Sequence, residues 1–189
     1  MKLVINIDGG CRGNPGPGSS AVVIRDESGV LIAEAGRYLG PLTTNNKAEF
    51  TALFIALKAA KEIGGSELDI RSDSLLLVKQ YKGEFRVKNA ELALLLGQIN
   101  TLSKKFISVK LSHVRREFNK EADALANRVL DSSSDIVIEH KQPKRAEPEP
   151  ANLPPAPAAE KTQPAKKGAR IKKSTPKPAD DGPEQLMLF

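Results

Sequence analysis

Four carboxylates stand at or beside the ends of regular elements, where a folded chain could gather them into one pocket. Asp8 closes the apolar run Leu3-Val4-Ile5-Asn6-Ile7, and Asp73 follows Leu68-Asp69-Ile70-Arg71-Ser72. Glu49 falls in the first turn of a helical pattern and shares a wheel face with Leu53, Ala56 and Ala60, the stripe that should meet a sheet. Asp123 borders a second such stripe, Ala122, Leu125, Ala126 and Val129. Each acid alone has an ordinary use. Asp8 would form a turn, Glu49 would complement a helix dipole, Asp73 would cap a helix at Ser74, and Asp123 would face water. An acid on an inward stripe, however, needs a partner, and no Lys or Arg occupies the obvious facing positions. Two unit charges about 4 Å apart repel by roughly 4 kcal/mol at an effective dielectric of 20. If the four converge, protons or divalent cations must relieve that repulsion. Oxygen-only ligation suits Mg²⁺ or Mn²⁺ rather than zinc. Two such ions form the usual clamp for phosphodiester hydrolysis.

The elements that would position these acids follow from periodicity and turn residues. Lys2–Asp8 reads as a buried strand, and Ser20–Arg25 with Val30–Tyr38 as a hairpin turning at Glu27-Ser28-Gly29. Residues 9–18 hold five glycines and two prolines, which predicts a loop. A long helix is expected over Asn46–Ile63, closed by Gly64-Gly65. Then come a strand at Leu68–Ser72, helices at Ser74–Tyr81 and Ala90–Lys104, a strand at Ile107–His113, and a last helix at Asn119–Leu130. This order implies an α/β fold, with an antiparallel meander on one side of a mixed sheet.

Composition narrows the function classes. The chain has 189 residues and a net charge of +6, which permits a polyanionic partner. Its single Cys11 and two His exclude an internal disulfide, a cysteine-rich zinc site and a multi-histidine metal site. The N-terminal apolar run is shorter than the ~7–15 residues of a secretory signal, and no run reaches the ~18 of a membrane span. A soluble cytoplasmic monomer is the expectation, with no membrane partner. Residues 139–189 hold 10 of the 13 prolines, so a catalytic domain is expected over 1–138 and a disordered Pro/Ala/Lys-rich basic linker over 139–184.

Four ordered blocks resemble the type 1 ribonuclease H family. They are Ile7-Asp8-Gly9-Gly10-Cys11-Arg12-Gly13-Asn14-Pro15-Gly16, Thr43-Thr44-Asn45-Asn46-Lys47-Ala48-Glu49, Ser72-Asp73-Ser74, and Asn119-Lys120-Glu121-Ala122-Asp123-Ala124-Leu125-Ala126. The resemblance implies a five-stranded mixed sheet flanked by helices. It implies two-ion cleavage of the RNA strand of RNA–DNA hybrids, leaving 5′-phosphate and 3′-hydroxyl ends. By it, Asp8, Glu49, Asp73 and Asp123 hold two Mg²⁺ or Mn²⁺ ions, with Asp8 bridging. Gly9, Cys11, Arg12, Gly13 and Asn14, together with Glu49, would contact ribose 2′-hydroxyls. Asn14 and Asn46 would reach the minor groove, and Thr44 and Asn45 would hold a phosphate of the DNA strand. Turn and cap chemistry is the ordinary alternative for the asparagines. His113, ten residues before Asp123, matches a family histidine that assists product release, although a strand-end histidine without catalytic duty fits equally.

The chain departs from the family in two places. Leu75 stands where many members carry a groove-contacting Gln, and Lys82-Gly83-Glu84-Phe85-Arg86-Val87-Lys88 replaces a Trp- and Lys-rich protrusion. Seven basic residues and no acid between Lys161 and Ala179 could offset that loss by neutralising phosphates, or could belong to a solvated linker. The closing Gln185-Leu186-Met187-Leu188-Phe189 is similar to the bacterial sliding-clamp-binding peptide, with Gln185, Leu186, Leu188 and Phe189 as anchors. The rival expectations are a nuclease of the same fold acting on double-stranded RNA or DNA, an inactive nucleic-acid-binding relative, and an adaptor serving the clamp.

Overall fold

Burial alternates from the start of the chain. Leu3, Ile5 and Ile7 are sealed within β1 (Lys2–Cys11), the strand around which the rest is arranged. The computed structural model describes residues 1–139. The rest of the expected basic linker and the Gln185–Phe189 peptide lie outside those residues. β1 leads into a meander of β2 (Gly18–Asp26) and β3 (Leu31–Tyr38), each antiparallel to the strand before it. After α1 (Asn45–Glu62), β4 (Glu67–Ser72) returns parallel to β1. Helices α2 (Leu75–Tyr81) and α3 (Ala90–Ser103) then lead to β5 (Ser108–His113), parallel to β4. A single 3-10 turn at Arg116–Phe118 precedes α4 (Lys120–Ser132). The mixed α/β sheet with flanking helices is as expected.

Two expectations are corrected. The sheet has six strands rather than five, in the order β5-β4-β1-β2-β3-β6, because Ile136–Glu139 forms β6 on the free edge of β3. Ser133 ends α4 in the left-handed region (φ 49°), and the Tyr38 N–H donates to Asp135 Oδ1 at 2.8 Å, which together fix the return. Four residues after a polar stretch carry too little periodicity to be read alone; the vacant edge of β3 makes them a strand.

The second correction concerns Gly9, Gly10 and Cys11, which were expected in a loop. They continue β1 and pair with Ser20, Ser19 and Gly18. Glycine is required at position 9 for space, not for a turn. A Cβ there would lie 2.3 Å from the Ala48 carbonyl carbon and the Glu49 nitrogen, so glycine lets the start of α1 press against the strand.

The two faces of the sheet are covered unequally. On one face Leu3, Ile5, Ile7, Val22 and Ile24 meet Phe50, Leu53, Ala56, Leu57 and Ala60 of α1, with Leu77, Leu92 and Ile99 behind. Small residues at every turn of α1 allow this close approach. On the other face a thinner cluster joins Ala21 and Val23 to Ala122, Leu125 and Ala126 of α4. A Cβ at Gly36 of β3 would meet a Val129 methyl at 2.4 Å, so α4 too sits close to the sheet. Among the described residues, no helix is long and apolar enough to cross a membrane.

Candidate active site

Parallel pairing of β1 and β4 brings the first two acids together. Asn6 is opposite Arg71, so carrying the register on by two residues sets Asp8 against Asp73. Glu49 joins them from the first turns of α1, held by the contact of Gly9 with Ala48 and Glu49. Ligand atoms of Asp8, Glu49 and Asp73 all lie within 4.8 Å of one another. Asp8 and Glu49 are only 8% and 6% exposed, and Glu49 Oε2 is buried without a hydrogen-bond partner. Asp73 does not cap α2, since Ser74 does so by accepting from the Leu77 N–H.

The fourth acid stands apart from this triad. Asp123 lines the same cavity of about 260 Å³, with Gly9, Gly10, Cys11, Arg12, Asn45 and Asn127 among its neighbours. It does not, however, belong to the set of mutually close ligand atoms. Its Oδ1 accepts from Arg116 Nη2 at 2.6 Å and its Oδ2 from Asn127 Nδ2 at 3.3 Å. Among the described residues, Glu49 on the inward stripe has no ion-pair partner, as expected, whereas Asp123 beside the second stripe is paired with Arg116. Arg116 comes from the 3-10 turn, outside any helical wheel on which facing positions could be counted.

Electrostatics in the pocket run against ionisation. Burial, then the neighbouring charges of Asp8 and Asp73, push the Glu49 carboxyl up to about 9, opposed by hydrogen bonding from the Gly9 backbone. Burial, then the charges of Asp73 and Asp123, push Asp8 up to about 7. Burial and like charge both favour the protonated form of a carboxyl. The cluster therefore holds protons that a divalent cation would displace. Three carboxylates within reach of one ion, with an orphaned buried oxygen among them and no thiol or imidazole in that close set, fit a hard cation.

Asn119 was expected only as the start of the last helix, yet it buttresses the site. It is 1% exposed and makes no side-chain cap bond. Its Nδ2 donates to Asp73 Oδ1 at 3.0 Å and to the Ile7 carbonyl at 2.9 Å, while its Oδ1 accepts from Asn6 Nδ2 at 3.0 Å. One carboxamide thus ties the loop after β4, strand β1 and the root of α4 together. An asparagine before a helix reads as a cap, and that signal hid this use. The alternation that faces Asn6 to the same side as Asp8 was the available clue.

The expected substrate contacts are partly gathered. Gly9, Cys11, Arg12 and Asn45 line the cavity, and the Asn45 N–H donates to Asn14 Oδ1 at 3.2 Å. Arg12 is ion-paired with Asp131 of α4. Gly13 takes a positive φ of 89° in the following loop. Thr44 caps α1 by accepting from the Lys47 N–H. Asn46 donates to the buried Gln80 at 3.4 Å, and its own Oδ1 is buried without a partner. His113 ends β5, exposed and outside the lining of the cavity. A larger hollow of about 530 Å³ between β3 and α1 is lined by apolar residues and scattered charges, with none of the four acids.

Comparison with known proteins bears on the family and the fold. Residues 6–129 match the family described as "Reverse transcriptase-like". A Mycobacterium tuberculosis protein named bifunctional protein Rv2228c is 36% identical over 146 residues, which is 77% of this chain and 40% of that protein. The chain thus spans less than half the length of this relative. A ribonuclease H of Ehrlichia chaffeensis is 34% identical over 140 residues, covering 66% of this chain and 92% of the relative. The solved structure of LC11-RNase H1 in complex with an RNA/DNA hybrid superposes with a TM-score of 0.66 at 36% identity, covering 69% of this chain and 98% of that one. The chain belongs to the reverse-transcriptase-like family and, within it, to the type 1 ribonucleases H.

Proposed function

We propose that this protein is an endonuclease that hydrolyses the RNA strand of RNA–DNA hybrids with the help of two divalent cations, Mg²⁺ or Mn²⁺, leaving 5′-phosphate and 3′-hydroxyl ends. The observation that carries the reading is the triad of Asp8, Glu49 and Asp73 within mutual ligand distance, with Asp123 in the same cavity. The hybrid bound to the LC11 relative supports the substrate class.

Asp8, Glu49, Asp73 and Asp123 would hold the two ions, with Asp8 shared between them, and ions held there would supply Lewis acidity for attack on a phosphodiester. Asn119 fixes the Asp73 carboxylate in the orientation its ligand role needs. Preference for RNA comes from 2′-hydroxyl contacts by Glu49 and the Gly9–Asn14 segment. Asn14, Thr44, Asn45 and Asn46 hold the hybrid by its minor groove and DNA-strand phosphate. His113 assists release of the product. The Gln185–Phe189 peptide tethers the enzyme to a bacterial sliding clamp in the cytoplasm; loss of clamp binding on changing both Leu188 and Phe189 to Ala is the expected result.

The test of the catalytic reading is a set of end-labelled duplexes given to the full chain with Mg²⁺ or EDTA. Cleavage confined to the RNA strand of the hybrid, and abolished by EDTA, is expected. Equal cutting of duplex DNA, or cutting in EDTA, would refute it.

A further inference from the structure

Arg116 is the cation closest to the fourth carboxylate, and its geometry differs from that of a structural ion pair. The guanidinium meets Asp123 Oδ1 at 2.6 Å, yet its side chain is 76% exposed while Asp123 is 29% exposed. A structural pair would be anchored at both ends. Here only the acid is anchored, by Asn127 on its other oxygen and by the first turn of α4. Arg116 reaches in from a three-residue 3-10 turn whose other side chains, Glu117 and Phe118, are exposed. Asp123, the acid left out of the cluster of Asp8, Glu49 and Asp73, is the one that Arg116 contacts, while the guanidinium's charge also reaches Asp8 and Asp73 from a greater distance. Among the described ion pairs, the direct contact of this guanidinium is therefore with the carboxylate outside the triad.

We propose that Arg116 is a displaceable counter-cation and a positioning residue: it neutralises Asp123 in the free protein and leaves it for a phosphate of the incoming nucleic acid, which frees Asp123 to ligate the second cation. This rests on the metal-site reading above. Guanidinium binds carboxylate and phosphate in the same forked geometry, so exchange between them costs little. The exposed side chain has room to make it. The consequence is order: the cluster accepts its first cation without nucleic acid, and the second site becomes strong only when a phosphate has drawn Arg116 away. Metal uptake and substrate docking are then coupled through one side chain.

The test uses the full chain and does not depend on turnover. Mn²⁺ uptake is measured by calorimetry without nucleic acid for the wild type, Arg116→Gln, Arg116→Lys and Asp8→Asn. Removing the competing charge should tighten the second equivalent of Mn²⁺ by about tenfold in Arg116→Gln, while Arg116→Lys stays near the wild type. Identical second-site affinities in wild type and Arg116→Gln would overturn the proposal, as would Arg116→Lys behaving like Arg116→Gln. Hybrid affinity in EDTA supplies the second arm. The slope of log affinity against log salt should fall by about one in Arg116→Gln, and an unchanged slope would contradict transfer to a phosphate. Uptake that is absent, or unaltered by Asp8→Asn, would overturn the metal-site reading itself. Uptake that needs Asp8 but ignores Arg116 would overturn only the role given to Arg116.

Discussion

The two faces of the sheet contribute to the site by different physics. The α1 face is a deep apolar core, from Leu3 and Ile5 through Phe50 and Leu53 to Leu77 and Ile99. It delivers Glu49 into tight company with Asp8 and Asp73. The α4 face has a thin core of alanines, Val23 and Leu125. Polar clips supplement it: Asn119 to Ile7 and Asp73, Ser19 to the Ala126 carbonyl, and Arg25 to Glu121. It delivers Asp123, which sits outside the triad under Arg116. Apolar packing tolerates few alternatives. The buried clips of Asn119 and Ser19 fix the root and middle of α4, whereas exposed pairs such as Arg25 with Glu121 and Arg116 with Asp123 exchange partners at small cost. The rigid face thus supplies the part of the site that must hold like charges together, and the clipped face the part that can adjust.

The largest effect that would sharpen this contrast is on catalysis. Asp8→Asn should lower hybrid cleavage on the order of a thousandfold, the scale of losing a principal electrostatic element. It should also raise the stability of the metal-free protein at pH 8, because a carboxyl whose ionisation the pocket resists is gone. Activity assays paired with urea unfolding read both; a fall in each would show that Asp8 is needed for folding instead.

Stability should divide by face. Phe50→Ala removes a fully buried ring from the deep core and should cost about 3–5 kcal/mol. Leu125→Ala on the α4 face should cost about 2 kcal/mol, near the lower end for its class, since its surroundings are thinner. Equal losses in urea midpoints would erase the proposed distinction.

The pH dependence tests the electrostatics of the rigid part. Glu49 and Asp8 have folded-state pKa values raised to about 9 and about 7, from ordinary values of 4.5 and 3.8. Between the ordinary and raised values the folded state binds more protons than the unfolded one, so the metal-free protein loses stability as pH rises from about 4 towards 9. Unfolding in EDTA should show that decline, Glu49→Gln should flatten its upper part, and Mn²⁺ should reverse it. A wild-type profile parallel to that of Glu49→Gln between pH 6 and 9 would contradict the burial argument.

The smallest effect belongs to the clips. Arg25 reaches both oxygens of Glu121 at 2.8 and 2.9 Å, but Glu121 is largely exposed. Arg25→Ala should therefore cost about 0.2–1 kcal/mol; a loss near that of Leu125→Ala would mean that clips, not apolar packing, hold α4.

Much of this was legible in the residues. Asp8 at the end of an apolar strand, Glu49 on an inward stripe and Asp73 past a strand each break a local rule in a way that packing alone does not explain. The meander and the α1 stripe were visible for the same reason, a clear period. What escaped depended on distant partners. Gly9–Cys11 read as a breaker because glycine's local preference is clear, while its partner strand and the close approach of α1 lie elsewhere in the sequence. Ile136–Glu139 becomes a strand only where β3 offers an edge. Asn119 and Arg116 act across more than forty residues, or from an irregular turn, and no periodicity announces either.

Anomalous diffraction from crystals of the full chain grown with Mn²⁺ addresses the central claim most directly, since it locates the ion without reference to activity. Density is expected among the carboxylates of Asp8, Glu49 and Asp73, and a second peak beside Asp123 when a hybrid carrying an uncleavable phosphodiester linkage is bound. An empty carboxylate cavity, with manganese bound only elsewhere on the surface, would contradict it.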